Sequence, residues 1–132
     1  MRRAMTHRYK KHYTREEARA LLPSLRKWLQ QLHELRDWLR QRDTEIEKAL
    51  GEGRDLGGDL INTWIKYLCQ LQRLLREFQS REIQLKDLDR GLIDFPAIIG
   101  GREVFLCWEK DEDDIEFWHD LESGYAGRER LK

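Results

Sequence analysis

From Ala18 onward, apolar residues return at seven-residue intervals. Ala18, Leu25, Leu32, Leu39 and Ile46 make one row, and Leu21, Trp28, Leu35 and Ala49 make a second, with Arg42 as its polar exception. Leu22, Leu29 and Leu50 widen the stripe to the width of a core-facing bundle helix. Thr14 followed by Glu17 is a capping-box pattern, and Tyr13 ahead of it is placed to staple onto Ala18, so a helix is predicted over 14–50. Pro23 removes one backbone hydrogen bond and disfavours helical geometry at Leu22, which predicts a kink or a short first helix there. The stretch "GEGRDLGGD" from Gly51 to Asp59 is the clear break, and Asp59 caps a second helix over 59–82. Its rows are Ile61, Leu68 and Leu75, and Trp64, Leu71 and Phe78, with Leu60, Ile65, Tyr67 and Leu74 beside them. Two helices joined by a short turn make an antiparallel hairpin.

The period then changes. "GLIDF", "REVFLCW" after Gly100-Gly101, and "DIEFWHD" after the acidic turn "EKDEDD" read as strands of an antiparallel meander over 83–120. Both alternating sets of "VFLCW" are apolar, which marks it as the central strand. At about 1.5 Å per residue the first helix reaches roughly 55 Å and the second about 35 Å. The start of the first helix, with Leu21, Leu22, Leu25 and Trp28, therefore needs another cover, and the C-terminal third emerges at that end. The fold class is α+β: a long, coiled-coil-like antiparallel helical hairpin capped by a small C-terminal antiparallel β-meander. The expected organisation is one domain over 1–132, with a basic flexible arm over 1–13 and a tail over 121–132. Two apolar rows plus flanks exceed what one hairpin buries on its inner face, so a homodimer through the helices is expected.

Composition adds one asymmetry. The chain is 39% apolar and 38% charged with a formal net charge of zero. Residues 1–42 carry 12 Lys/Arg and 4 Asp/Glu, residues 43–82 carry 6 and 8, and residues 83–132 carry 7 and 13, so charge runs from +8 through −2 to −6. The basic start and the acidic third lie at the same end of the expected hairpin. Cys69 and Cys107 have no metal or redox spacing, there is no apolar span of membrane length, and the basic N-terminus lacks the apolar run of a secretion signal. These features point to a cytoplasmic protein with no membrane association.

The segments "YTREEARALLPSLR", "LKDLDRGLIDFPA", "GREVFLCW" and "WHDLESGYAGR" resemble the bacterial domain-of-unknown-function 2203 family over about Tyr13 to Arg128. The resemblance implies a single intracellular domain. It carries no established activity, and no catalytic residue is transferred from it.

Several constellations carry possible chemistry. Asp87, Asp89 and Asp94 with His119 and Asp120 offer oxygen and nitrogen donors for a divalent metal, although turn chemistry and ion pairs to Lys86, Arg90 or Arg102 account for the same acids. Glu116 and His119 have the Glu-x-x-His spacing of di-metal bundles, but on a strand they point to opposite faces. "GYAGR", with Arg128, Arg90 and Arg102, has the parts of an anion nest. The arm "MRRAMTHRYKKHYTR", including Arg8, Lys10 and Lys11, has the charge for salt-dependent nucleic-acid binding, and Trp38 at the edge of the helical stripe suits a partner surface. Cys107, between Leu106 and Trp108, reads as inert packing. No cofactor is predicted. The leading expectation is a non-enzymatic interaction or assembly module acting through its charged β-containing end. The alternatives are a metal-dependent or phosphate-handling enzyme built on the Asp/His cluster and nucleic-acid binding through the arm.

Overall fold

The computed structural model describes residues 6–54 and 57–132. Helix α1 spans Arg15–Gly51 and α2 Gly58–Ser80, followed by strands β1 Gln84–Asp87, β2 Leu92–Ile99, β3 Arg102–Glu109, β4 Phe117–Asp120 and β5 Glu129–Arg130, with a short 3-10 turn at Tyr125–Gly127. All strands are antiparallel and lie in chain order β1-β2-β3-β4-β5, with β3 in the middle. The expected α+β architecture is present, and the meander gains an edge strand on each side, β1 and β5, that the hydrophobic pattern did not mark.

Helix α1 begins as its sequence dictates. Glu17 N–H donates to Thr14 Oγ1 at 3.1 Å and Thr14 N–H donates to Glu17 Oε1 at 3.0 Å, closing the capping box. The helix runs unbroken through Pro23, so no separate short helix precedes it. The lost backbone bond is offset by burial on both sides of the proline, where Leu22 and Leu25 are fully packed.

Helices and sheet meet in one core. Ala18, Leu22, Leu25, Leu29, Leu32 and Phe78 pack against Ile93, Phe95, Ala97, Val104, Leu106 and Trp108. The sheet residues come from alternate positions of β2 and β3 and so form one face. Gly100-Gly101 makes the β2–β3 turn with φ of 59° and 76°, the left-handed pair that a two-residue hairpin requires. Gly91 is the other constrained glycine: at φ 64°, an added Cβ would stand 2.7 Å from the Cβ of Lys110.

The opposite face of the sheet is also buried. Leu92, Asp94, Pro96, Phe105, Cys107 and His119 lie there, and the helices cannot cover them. The N-terminal arm, β1 and the segment after β4 do. Tyr9 stacks 5.5 Å from the Phe105 ring, Lys86 lies over the same ring, and Arg128 lies 3.7 Å over Phe117.

The described part of the basic arm is held to the rest of the chain by hydrogen bonds. Glu103 accepts from the backbone N–H of Arg8 at 2.7 Å and Tyr9 at 3.0 Å, and Glu82 accepts from Lys10 at 2.9 Å and Lys11 at 2.7 Å. Tyr13 is buried, with its N–H on the Pro96 carbonyl and its hydroxyl on that of Arg81. Glu103 of the acidic third and Glu82 just before it bind the arm's backbone amides, which composition alone did not suggest. Residues 1–5, with Arg2 and Arg3, lie outside the described residues. Glu103→Ala is expected to raise hydrogen exchange at the Arg8 and Tyr9 amides and to cost about 1–3 kcal/mol by chemical denaturation. Unchanged exchange at both amides would remove Glu103 as the anchor.

Candidate functional site

The outer face of the sheet carries the candidate site. Asp94 on β2 stands directly opposite Cys107 on β3, and His119 on β4 stands opposite Phe105, one diagonal step from Cys107. Their donor atoms all lie within 4.8 Å of one another and all three residues are buried. His119 Nε2 is 3.0 Å from Asp94 Oδ2, and Nδ1 is 2.6 Å from the Asp120 carbonyl oxygen.

These contacts determine the protons. A carbonyl only accepts, so Nδ1 carries a hydrogen. One further proton lies between Nε2 and Asp94, and the pair is neutral overall wherever that proton sits. Burial opposes charge on the imidazole, but the hydrogen bond to Asp94, helped by Cys107 and the Asp120 carbonyl, outweighs it and raises the His119 pKa to about 10. The His119 imidazole is therefore positively charged at neutral pH. The second Asp94 oxygen, Oδ1, is buried and has no hydrogen-bond partner in the structure.

A second pair lies alongside. Arg128 binds Glu112 through both Nη atoms, and its Nη1 approaches Cys107 Sγ at 3.7 Å. Glu112 is held in turn: Oε1 accepts from Glu109 N–H, and its main-chain carbonyl accepts from the Trp108 indole at 2.9 Å and from Arg26 at 3.0 Å. Burial opposes the Arg128 charge, and the Glu112 carboxylate more than restores it, raising the pKa further. Both nitrogens of His119 are engaged, so it offers Cys107 no free base, and the trio is not arranged as a nucleophile with its proton acceptor.

The remaining sequence candidates separate. Asp87 accepts from Arg90 N–H in the turn after β1, Asp89 pairs with Arg36 at 2.7 Å and ties that turn to α1, and Asp120 pairs with Arg102 at 3.0 Å. Of the five proposed metal ligands only Asp94 and His119 meet, because neighbouring acids in a turn or on a strand point in different directions. Glu116 faces Arg130 instead of joining His119. Arg90 and Arg128 both lie over the Tyr125 ring but are paired with Glu109 and Glu112, while Arg102 lies apart over Trp118 and pairs with Asp120. Arg8 pairs with Glu122 and Lys11 with Glu17, while Lys10 is exposed. Trp38 is half-buried edge-to-face on Tyr67, 4.6 Å between centroids, in a cleft between the helices of about 650 Å³ that Arg73 and Glu34 also line.

Cys107 is the residue that sequence reasoning passed over. The signal was available: Asp94 lies six residues before Gly100 and Cys107 six after Gly101, so a two-residue turn between those glycines sets them face to face. Residues 11–131 match the family described as "Uncharacterized conserved protein (DUF2203)". The chain belongs to the DUF2203 family. Neither a curated protein nor a solved structure matches it. The match takes in both helices and the whole sheet, so the buried polar cluster lies inside the DUF2203 region. Among the described residues no helix is long and apolar enough to cross a membrane.

The ion pair gives this DUF2203 chain a pH signature. The pKa of His119 is raised from its usual value near 6.5 to about 10, so the stabilisation is complete below about pH 6.5 and is lost as pH rises through 10. Melting temperature is expected to fall over that window, and Asp94→Asn to flatten the fall. An Asn variant that keeps the full slope would assign the titration to another group. Breaking the pair from one side, as in His119→Ala, is expected to cost about 3–5 kcal/mol because Asp94 stays buried and unpaired.

Proposed function

We propose that the protein is a non-enzymatic assembly module whose helical hairpin pairs with a second copy of itself. One observation carries this reading: of the apolar residues along α2, only Phe78 is fully buried. Leu60, Ile61, Trp64, Leu68, Leu71, Leu74 and Leu75 remain half-exposed, Ile65 is 49% exposed, and Leu50 at the end of α1 is 64% exposed. Ile61, Ile65 and Leu68 run beside the row facing α1 and are incompletely covered among the described residues, whereas Leu71, Leu74 and Leu75 pack in part against the core.

Charge favours a second copy as the occupant. Residues 43–52, at the far end of the hairpin, carry four acids and one lysine, and residues 66–76 of α2 carry Lys66, Arg73 and Arg76 with no acid. An antiparallel two-fold pairing sets the first stretch against the second, twice. A hairpin face about 35 Å long and roughly 20 Å wide offers about 700 Å² per copy, within reach of a standard stable interface. The charged sheet end supports an interaction role less directly, because its arginines and acids are largely paired with one another. The engagement of both His119 nitrogens and the burial of Cys107 support the non-enzymatic part of the reading.

Light scattering at micromolar concentration is expected to give twice the chain mass. Ile65→Glu with Leu68→Glu should halve it and leave the circular dichroism spectrum in place. A monomer at that concentration for the unsubstituted protein would overturn the reading.

A further inference from the structure

We propose that Asp94, Cys107 and His119 form a zinc site on the outer face of the sheet. Thiolate, imidazole and carboxylate are the donor types zinc selects, and all three donor atoms lie within 4.8 Å of one another. Zinc bonds of about 2.0–2.3 Å separate tetrahedral donors by about 3.3–3.8 Å. Nε2 and Oδ2, at 3.0 Å, need only spread slightly to admit the ion. The three residues stand on adjacent central strands, β2, β3 and β4, where side-chain positions are held by the ladder.

Three further features fit a metal better than packing alone. The first is orientation. His119 Nδ1–H is bound to the Asp120 carbonyl, the outer contact that turns the opposite nitrogen toward an ion. The second is charge balance. A carboxylate, a neutral imidazole and a thiolate around a divalent cation sum to zero, so the loaded site buries no net charge. The third is the orphan oxygen. Asp94 Oδ1 is buried without a partner, and in a bidentate carboxylate it fills the fourth position.

Arg128 does not oppose the ion. Its charge is neutralised by Glu112, and its Nη1 at 3.7 Å from Sγ is placed to donate to the thiolate. The ligand set differs from the acidic cluster expected from sequence, because Asp87, Asp89 and Asp120 are committed elsewhere. The inference rests on the sheet alone and is independent of helical assembly.

His7, His12 and Glu103 form a second donor group on the docked arm, so the test must distinguish nitrogen and oxygen ligation from sulfur. The full chain carrying Cys69→Ser, which leaves Cys107 as its only cysteine, is produced in cobalt-supplemented medium so that metal loads during folding. Native mass spectrometry and near-ultraviolet absorption then report stoichiometry and thiolate-to-cobalt charge transfer. The expected result is one cobalt per chain with the charge-transfer band, retained in His7→Ala/His12→Ala and lost in His119→Gln. Metal-free protein, bound cobalt without the band, or a band that disappears with His7 and His12 would each overturn the site.

Discussion

A five-stranded sheet whose middle strand is buried on both faces needs two covers, and this chain draws them from different places. The helical hairpin covers the face of Phe95, Leu106 and Trp108. The other face, with Phe105, Cys107 and His119, is closed by the N-terminal arm, Lys86 and the segment after β4. Those covering segments are short and highly charged. The second face is therefore sealed mostly by hydrogen bonds and ion pairs, and its interior holds polar groups that an apolar cover would not have tolerated.

The asymmetry of charge along the chain has its structural meaning here. Asp114 receives Arg19 and Arg15 from α1, Glu103 and Glu82 receive the arm, and Glu112 receives Arg128. Arg19 and the backbone bond to Ile115 hold the Asp114 carboxyl below the usual range despite partial burial. Most of the side-chain ion pairs among these are partly exposed and individually weak. Their common effect is placement: the acidic loop between β3 and β4 is held against the start of α1, which fixes where β4 can lie and hence where His119 points.

Assembly and metal binding would divide the molecule between its ends. The far part of the hairpin has apolar area to cover and little polar chemistry, whereas the sheet end has polar chemistry and little free apolar area. A second copy along the helices would leave the outer sheet face untouched. The two proposals therefore stand or fall separately.

Much of this was legible in residue order. Heptad spacing, the Thr14 and Glu17 cap, the glycines at 51–58 and the alternation of "VFLCW" are local signals, because helix and strand periods act over a few residues. The Gly100-Gly101 turn even contained the pairing of Asp94 with Cys107. What residue order could not supply was the register of β4. Seven residues of irregular loop separate it from β3, and its position depends on contacts from Asp114 and Glu112 to residues about 16 to 99 positions away. For the same reason Asp87 and Asp89 looked like neighbours of His119 and are not, the Asp120 carboxylate turns away to Arg102, and Cys107, read as packing, lies beside the ring. The local sequence determined which elements form and which residues carry donors. Only the tertiary fold decided which donors meet, because a one-residue change of register would turn each side chain to the opposite face of the sheet.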